Sequence, residues 1–406
     1  GNFSLAKEID TIDYEIFSDK KNYKFKTNID STNISLIIPA LDYSKKENIN
    51  SLLTLEGSLK KNQSIIFSNL LFKENNNYFQ IKGLNLNKNY KITHIKKIDL
   101  NYINSNKKNN QIVLAKNKKN YQLSGKTFDA ENLINKILFS DEEGNFFIIL
   151  NNFNSNIKVN IDKVYVHEDD FLKNLNANLK FNKSELKNLN LKGDFSSNKK
   201  FTLTIKTNQN NEKITTLFSD NAEPLVKKYK FIKGFDEGYM DFYSVKKNNI
   251  SNSVLKINDF KLKELPALTK ILTLASLQGI ADLLTGEGIR FNEFEMKFRN
   301  EKKLMTIDEI YAIGPAISIL IDGYVQNDEL ISLSGTLVPA TTLNKVIGSI
   351  PFLGNILVGK KIGEGVFGVS FKIKGPPKHT KTTVNPIKTL TPRFITRTLE
   401  KIKEAN

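Results

Sequence analysis

Polar and apolar residues alternate along most of this chain. In "FTLTIKT" (201–207), Phe201, Leu203 and Ile205 share one face, while Thr202, Thr204 and Lys206 share the other. "LNANLKF" (175–181) groups Leu175, Ala177, Leu179 and Phe181. "FEMKF" (294–298) sets Phe294, Met296 and Phe298 against Glu295 and Lys297. "PAISILIDGYV" (315–325) aligns Ile317, Ile319, Ile321 and Val325, and "VFGVSFKIK" (366–374) aligns Phe367, Val369, Phe371 and Ile373. A period of two marks strands with one dry and one wet face. Polar turns such as "KENNN" (73–77) and "SSNKK" (196–200) separate them. The texture runs from about residue 10 to 260 and again from 289 to 375, and gives about twenty candidate strands. Helices do not alternate with them, so the pattern predicts an antiparallel sheet with one apolar face rather than a parallel βαβ sheet.

Four segments carry helical signals instead. "DAENLINKILF" (129–139) starts at Asp129 as N-cap, and "NAEPLVKKY" (221–229) is a second short candidate. "ELPALTKILTLASLQGIADLLTG" (264–286) has Pro266 in its first turn and Gly286 as its stop. Its apolar residues point around the wheel, which predicts a helix covered on most sides. "TTLNKVIGSI" (341–350) aligns Leu343, Val346, Ile347 and Ile350, and runs into the apolar "PFLGNILVG" (351–359) with Phe352, Leu353, Ile356 and Leu357. The expected organisation is an N-terminal β segment (1–128), a central β segment with short helices (129–263), a region with two apolar helical segments (264–375) and a basic tail (376–406).

The net charge of +17 raises the question of nucleic acid. The charge is diffuse, however, and Lys, Asn and Ile are abundant everywhere, as codon bias in an AT-rich genome would produce. No clustered basic face or recognition module supports a nucleic-acid partner. Only residues 371–406 concentrate charge, with nine Lys/Arg against Glu400 and Glu404. The absence of cysteine excludes disulfides and thiolate metal sites. His94, His167 and His379 stand apart, without a second His at ligand spacing. The apolar run 265–284 contains Lys270, Gln278 and Asp282, which argues against a membrane span. The chain starts at Gly1 rather than Met and reads as a piece of something longer.

"GEGVFG" (363–368) matches the glycine spacing of a dinucleotide loop. That loop needs a strand before it and a helix after it. Here an apolar helical segment precedes and a strand follows, and Glu364 sits inside. Gly286-Glu287-Gly288 echoes the same order, so both read as turns from helix into sheet. "GNILVGKK" (354–361) and "SGKT" (124–127) each lack part of a phosphate-binding loop. No G-x-S-x-G occurs. Glu168-Asp169-Asp170 and Asp141-Glu142-Glu143 lie in polar turns, without the enclosure that acid–base chemistry requires. These absences favour a non-enzyme without cofactor or metal, whose working feature is the apolar face itself.

The C-terminal third carries an ordered set of motifs. They are "INDFKLKELPALTKILTLASLQGIADLLTGEGIRFNEFEMKF" (257–298), "YAIGPAISILIDGYV" (311–325), "LSGTLVPATTLNKVIGSIPFLGNILVG" (333–359) and "GEGVFGVSFKIKGPPKHTKTTVNPIKTLTPRF" (363–394). In this order the region resembles the AsmA-like superfamily, and within it the YhdP-type proteins. "LSGKTFDAENLI" (123–134) and "FSDNAEPLVKKYKFIKGFDEGYMDF" (218–242) are similar more loosely, and Glu131 stands where the family often has Arg.

The resemblance implies a periplasmic protein of the Gram-negative envelope, anchored in the inner membrane by an N-terminal segment. It implies an elongated, curled sheet whose apolar groove carries phospholipid toward the outer membrane. Two sixteen-carbon chains cost roughly 25 kcal/mol to expose to water, so such a lipid needs a continuous apolar path. The groove would be lined by Leu175, Leu179, Phe181, Phe201, Leu203, Ile205, Phe294, Met296, Phe298, Ile317, Ile319, Ile321, Phe367, Val369, Phe371 and Ile373. Segment 341–358, with the basic tail, is the candidate for membrane contact. The alternative is a scaffold or assembly factor for outer-membrane biogenesis, which predicts a sheet closed on itself and a protein partner.

Overall fold

The computed structural model describes residues 2–3, 10–19, 22–60, 64–134, 154–195, 198–227, 234–263, 265–274, 286–327, 329–339, 368–377 and 379–387. The chain is mainly β and forms two compact units, Gly1–Lys206 and Thr207–Asn406. Each is a largely antiparallel ladder of strands that mostly follow one another along the chain, many of them joined by tight turns. Lys118, Asn248 and Lys302 open such turns with φ of 54°, 54° and 52°. Asn tolerates this left-handed backbone better than most residues. The two lysines adopt it without that advantage.

One pair departs from the predicted antiparallel pattern. Asn120–Asp129 and Ser155–His167 run parallel, with Leu123 opposite Val159. A parallel pair needs a long connection that returns the chain to the same end. Residues 130–154 supply it. The connection starts with a helical turn at 131–134, where Asp129 Oδ1 accepts from the Glu131 N–H at 3.0 Å. This is the N-cap expected from the sequence.

In the first unit, the connection between Asn22–Asp30 and Ser51–Lys60 folds into a small hairpin, Leu36–Ile38 with Tyr43–Lys45. It brings Tyr43 against Phe72, Phe79 and Tyr102, with ring centroids at 6.4, 4.6 and 5.9 Å. The Tyr43 hydroxyl donates to Glu74 at 2.6 Å. Buried Lys45 donates to the backbone carbonyls of Thr32, Ile34 and Lys46. Three acceptors compensate an ammonium that would otherwise be costly to bury.

In the second unit, helices α1 (Glu223–Lys227) and α2 (Pro266–Leu274) belong to longer connections at one end of the strands. Val226 of α1 joins Leu268, Ile271 and Leu272 of α2 in the same apolar cluster as the sheet. The described part of α2 is one-sided: Leu268, Ile271 and Leu272 are buried, whereas Pro266, Ala267, Lys270 and Leu274 are exposed. For 266–274 this corrects the expectation of a helix covered on most sides; residues 275–285 of that segment lie outside the described residues. Spacing of i, i+3, i+4 confines the buried positions to one stripe. Gly288 has φ +89° immediately before the strand Ile289–Glu301, and a Cβ there would lie 3.0 Å from the Leu262 carbonyl oxygen. That conformation makes it the turn into the sheet. Residues 341–367, including Phe367 and every membrane-contact candidate, lie outside the described residues.

Candidate functional site

Strand register decides which apolar residues share a path. Side chains opposite each other on neighbouring strands form lines that cross the sheet. In the second unit, three residue sets predicted from separate stretches fall into the same lines. Phe294 is opposite Ala312, then Ile319, Leu337 and Val369. Met296 is opposite Ile310, then Ile321, Gly335 and Phe371. Phe298 leads through Ile307, Gly323 and Leu333 to Ile373.

The lines differ in cover. The first is largely buried, and α1 and α2 pack in its cluster. Beyond it, Phe260 stacks between Phe235 and Phe291 at 5.1 and 5.3 Å. The second line is half-buried at Leu255, Met296, Ile310 and Ile321. A residue on an inner strand has neighbours on both sides, so partial exposure there means that no described residue fully covers it.

The first unit repeats the arrangement. Leu55 is opposite Leu70, then Ile81, Ile98 and Leu114. The line continues through Leu123, Val159, Ala177 and Leu191 to Leu203. Most of these residues are half-buried; only Val159 and Ala177 are fully so. One line toward the hairpin end, Phe72, Phe79, Leu100, Ile112, Ile161 and Leu175 are all buried. On the other side, Tyr121, Ile157, Leu179, Leu189 and Ile205 form a third line. Phe181 is buried beside it, and Phe201 packs edge-on against Phe195 at 5.8 Å. Each unit therefore carries a half-exposed apolar stripe beside a filled one.

Glycines interrupt the lines without opening polar gaps. A Cβ on Gly335 would lie 2.4 Å from Phe371 Cζ, and one on Gly57 would lie 2.8 Å from Phe25 Cζ. The neighbouring ring occupies the space that the glycine leaves.

The opposite face is not uniformly wet. Glu295, 4% exposed, sits between Lys256 and Lys297 at 3.3 and 3.1 Å. Ser318 is 0% and Leu320 5% exposed, so Ile317–Leu320 is buried on both sides. Strict alternation expected those two to be the wet positions. A shallow cavity of about 280 Å³ on this face is lined by polar groups including Asp322, Thr336, Ser370 and Lys372.

Sequence reasoning missed two further kinds of residue. Bulges shift the alternation: Asp259 (φ 52°) leaves Ile257 and Phe260 on one face, and Asn174 (φ 52°) does the same for Leu172 and Leu175. It also left His94 and His167 without roles. His167 Nδ1 lies 2.7 Å from Glu131 Oε1, and His94 Nδ1 lies 2.8 Å from Lys116 Nζ. The spacing of single histidines carries no signal of either contact. No group of three metal-ligating side chains occurs among the described residues, nor does a helix long and apolar enough to cross a membrane.

No family model, curated protein or solved structure matches the chain. Its class rests on the fold, a mainly β sheet protein with a half-exposed apolar stripe in each unit.

Proposed function

We propose that this chain is part of a lipid-transfer protein of the AsmA-like kind, carrying phospholipid acyl chains on its apolar stripes. In this reading it works in the periplasm of a Gram-negative envelope, anchored to the inner membrane, without catalysis or cofactor. The observation that supports it is the half-exposed line from Leu55 to Leu203, with its counterpart through Met296 and Ile321. A fully buried methylene is worth about 0.8 kcal/mol, and one laid on such a line gains a share of that in proportion to the area it hides, so even partial cover of one acyl chain is favourable. A pure scaffold needs no such stripe. It would gain stability from filling it as the neighbouring line is filled.

Photo-crosslinking in cells tests the reading. A photoreactive residue at Leu70 or Met296 captures phospholipid, whereas one at Gln80 or Lys297, on the opposite face, does not. Equal capture from both faces, or from neither, overturns the assignment.

A further inference from the structure

Lys116 is out of place. It follows Ile112 and Leu114 at two-residue spacing, so it shares their apolar face. Its cross-strand partner, Tyr121, belongs to the third apolar line, and the ammonium lies 5.9 Å from that ring. Lys116 Nζ donates to His94 Nδ1 at 2.8 Å. Burial, and then the Lys116 charge, hold the His94 pKa below its ordinary value, so the imidazole is the neutral acceptor. A half-buried ammonium thus faces a group that brings no negative charge.

Among the described residues, no carboxylate forms an ion pair with Lys116. Between Glu74 and Asp129 the sequence has one acidic residue, Asp99. Asp99 already accepts from Lys97 at 2.7 Å and from Tyr78 at 3.1 Å. Exposed Lys91, Lys96, Lys118 and Lys119 flank the pair in sequence. Uniform lysine abundance explains the surface residues. It does not explain a lysine on the dry face, where charge is costly, that has no acidic partner among the described residues. Leu114 of the half-exposed stripe is two residues away, about 7 Å along the strand.

We propose that Lys116 and His94 form an anion site for the phosphate of a phospholipid headgroup, whose acyl chain lies on the adjoining stripe. This rests on the lipid reading above. The phosphate oxygens accept from Lys116, and the imidazole either accepts from Lys116 or, once protonated, donates to phosphate. Tyr121 does not compete for the phosphate, because its hydroxyl donates to the Ile95 carbonyl at 3.1 Å.

Binding of three probes to the full chain decides the matter: oleoyl lysophosphatidate, monooleoylglycerol and inorganic phosphate. Wild type prefers the anionic amphiphile. Lys116→Met weakens that amphiphile about tenfold and leaves the neutral one unchanged, while Lys116→Arg retains the preference. Equal binding of both amphiphiles by wild type overturns the headgroup site and leaves the lipid reading standing. Equal weakening of both by Lys116→Met overturns it too, because the residue then acts through the fold. Phosphate binding that gains nothing from an acyl chain also overturns it. Binding of neither amphiphile overturns both readings.

Discussion

Single polar residues fix the ends of the apolar face. Tyr43 closes one end of the first unit with its ring among aromatics and its hydroxyl on Glu74. Burial raises its pKa far above the ordinary 10.0, and the Glu74 hydrogen bond adds to the rise. Burial raises Tyr102 as well, with the charge of Asp129 next. Folded-state values above the unfolded one mean that this stability is complete below about pH 10 and is lost as pH rises further. The expectation is that, of the 13 tyrosines, Tyr43 and Tyr102 ionise only when the chain unfolds. Phenolate absorbance followed alongside circular dichroism through alkaline pH checks this. Smooth ionisation of every tyrosine before unfolding would show that the cluster is loose. None of this is legible at Tyr43 itself, because its partners lie 29 to 59 residues along the chain, at Phe72 and Tyr102.

At the scale of strands and helices, local pattern and long-range pairing divide the work. The period of two placed Phe294, Met296 and Phe298 on one face without help. Pairing then set Met296 in line with Ile321 and Phe371 through Gly335. That glycine is required by the strands on either side of it, since a Cβ would also lie 2.7 Å from the Leu320 carbonyl oxygen. Gly335→Ala should therefore destabilise the chain by about 1–3 kcal/mol, because backbone cannot yield as a side chain can. Urea unfolding measures it, and an unchanged midpoint would mean that Phe371 does not rest over Gly335. The helix starts at Asp129 and Pro266 were legible because caps and proline act locally. The bulge at Asp259 was not, since its extra residue is defined by two partner strands.

For the molecule, the question is whether the apolar face is a core or a surface. Two neighbouring lines of the first unit answer differently. Leu70 is half-buried and Phe72, two residues on, is buried. Leu70→Lys should cost no more than about 1–2 kcal/mol, because its stem can cover the stripe while the ammonium reaches water. Phe72→Lys should cost more than about 3 kcal/mol, since it loses a packed ring and buries a charge. Denaturant midpoints of the two variants compare them directly, and equal losses would make the stripe an ordinary core. A tolerated Leu70→Lys that also stops lipid capture at neighbouring positions would tie the open stripe to lipid.

The sequence by itself determined a mainly β chain with one apolar face, the starts of three short helices, and the turn into the sheet at Gly288. These depend on backbone preference and side-chain spacing within a few residues. Only the tertiary structure decided that one pair of strands runs parallel and that separate stretches align into continuous lines. It also decided that one line is filled while its neighbour stays half-open, and that Lys116 meets His94 on the dry face. Each of those depends on which distant strands pair, in what register, and which connections fold over them. Alternation along one strand carries no record of such choices.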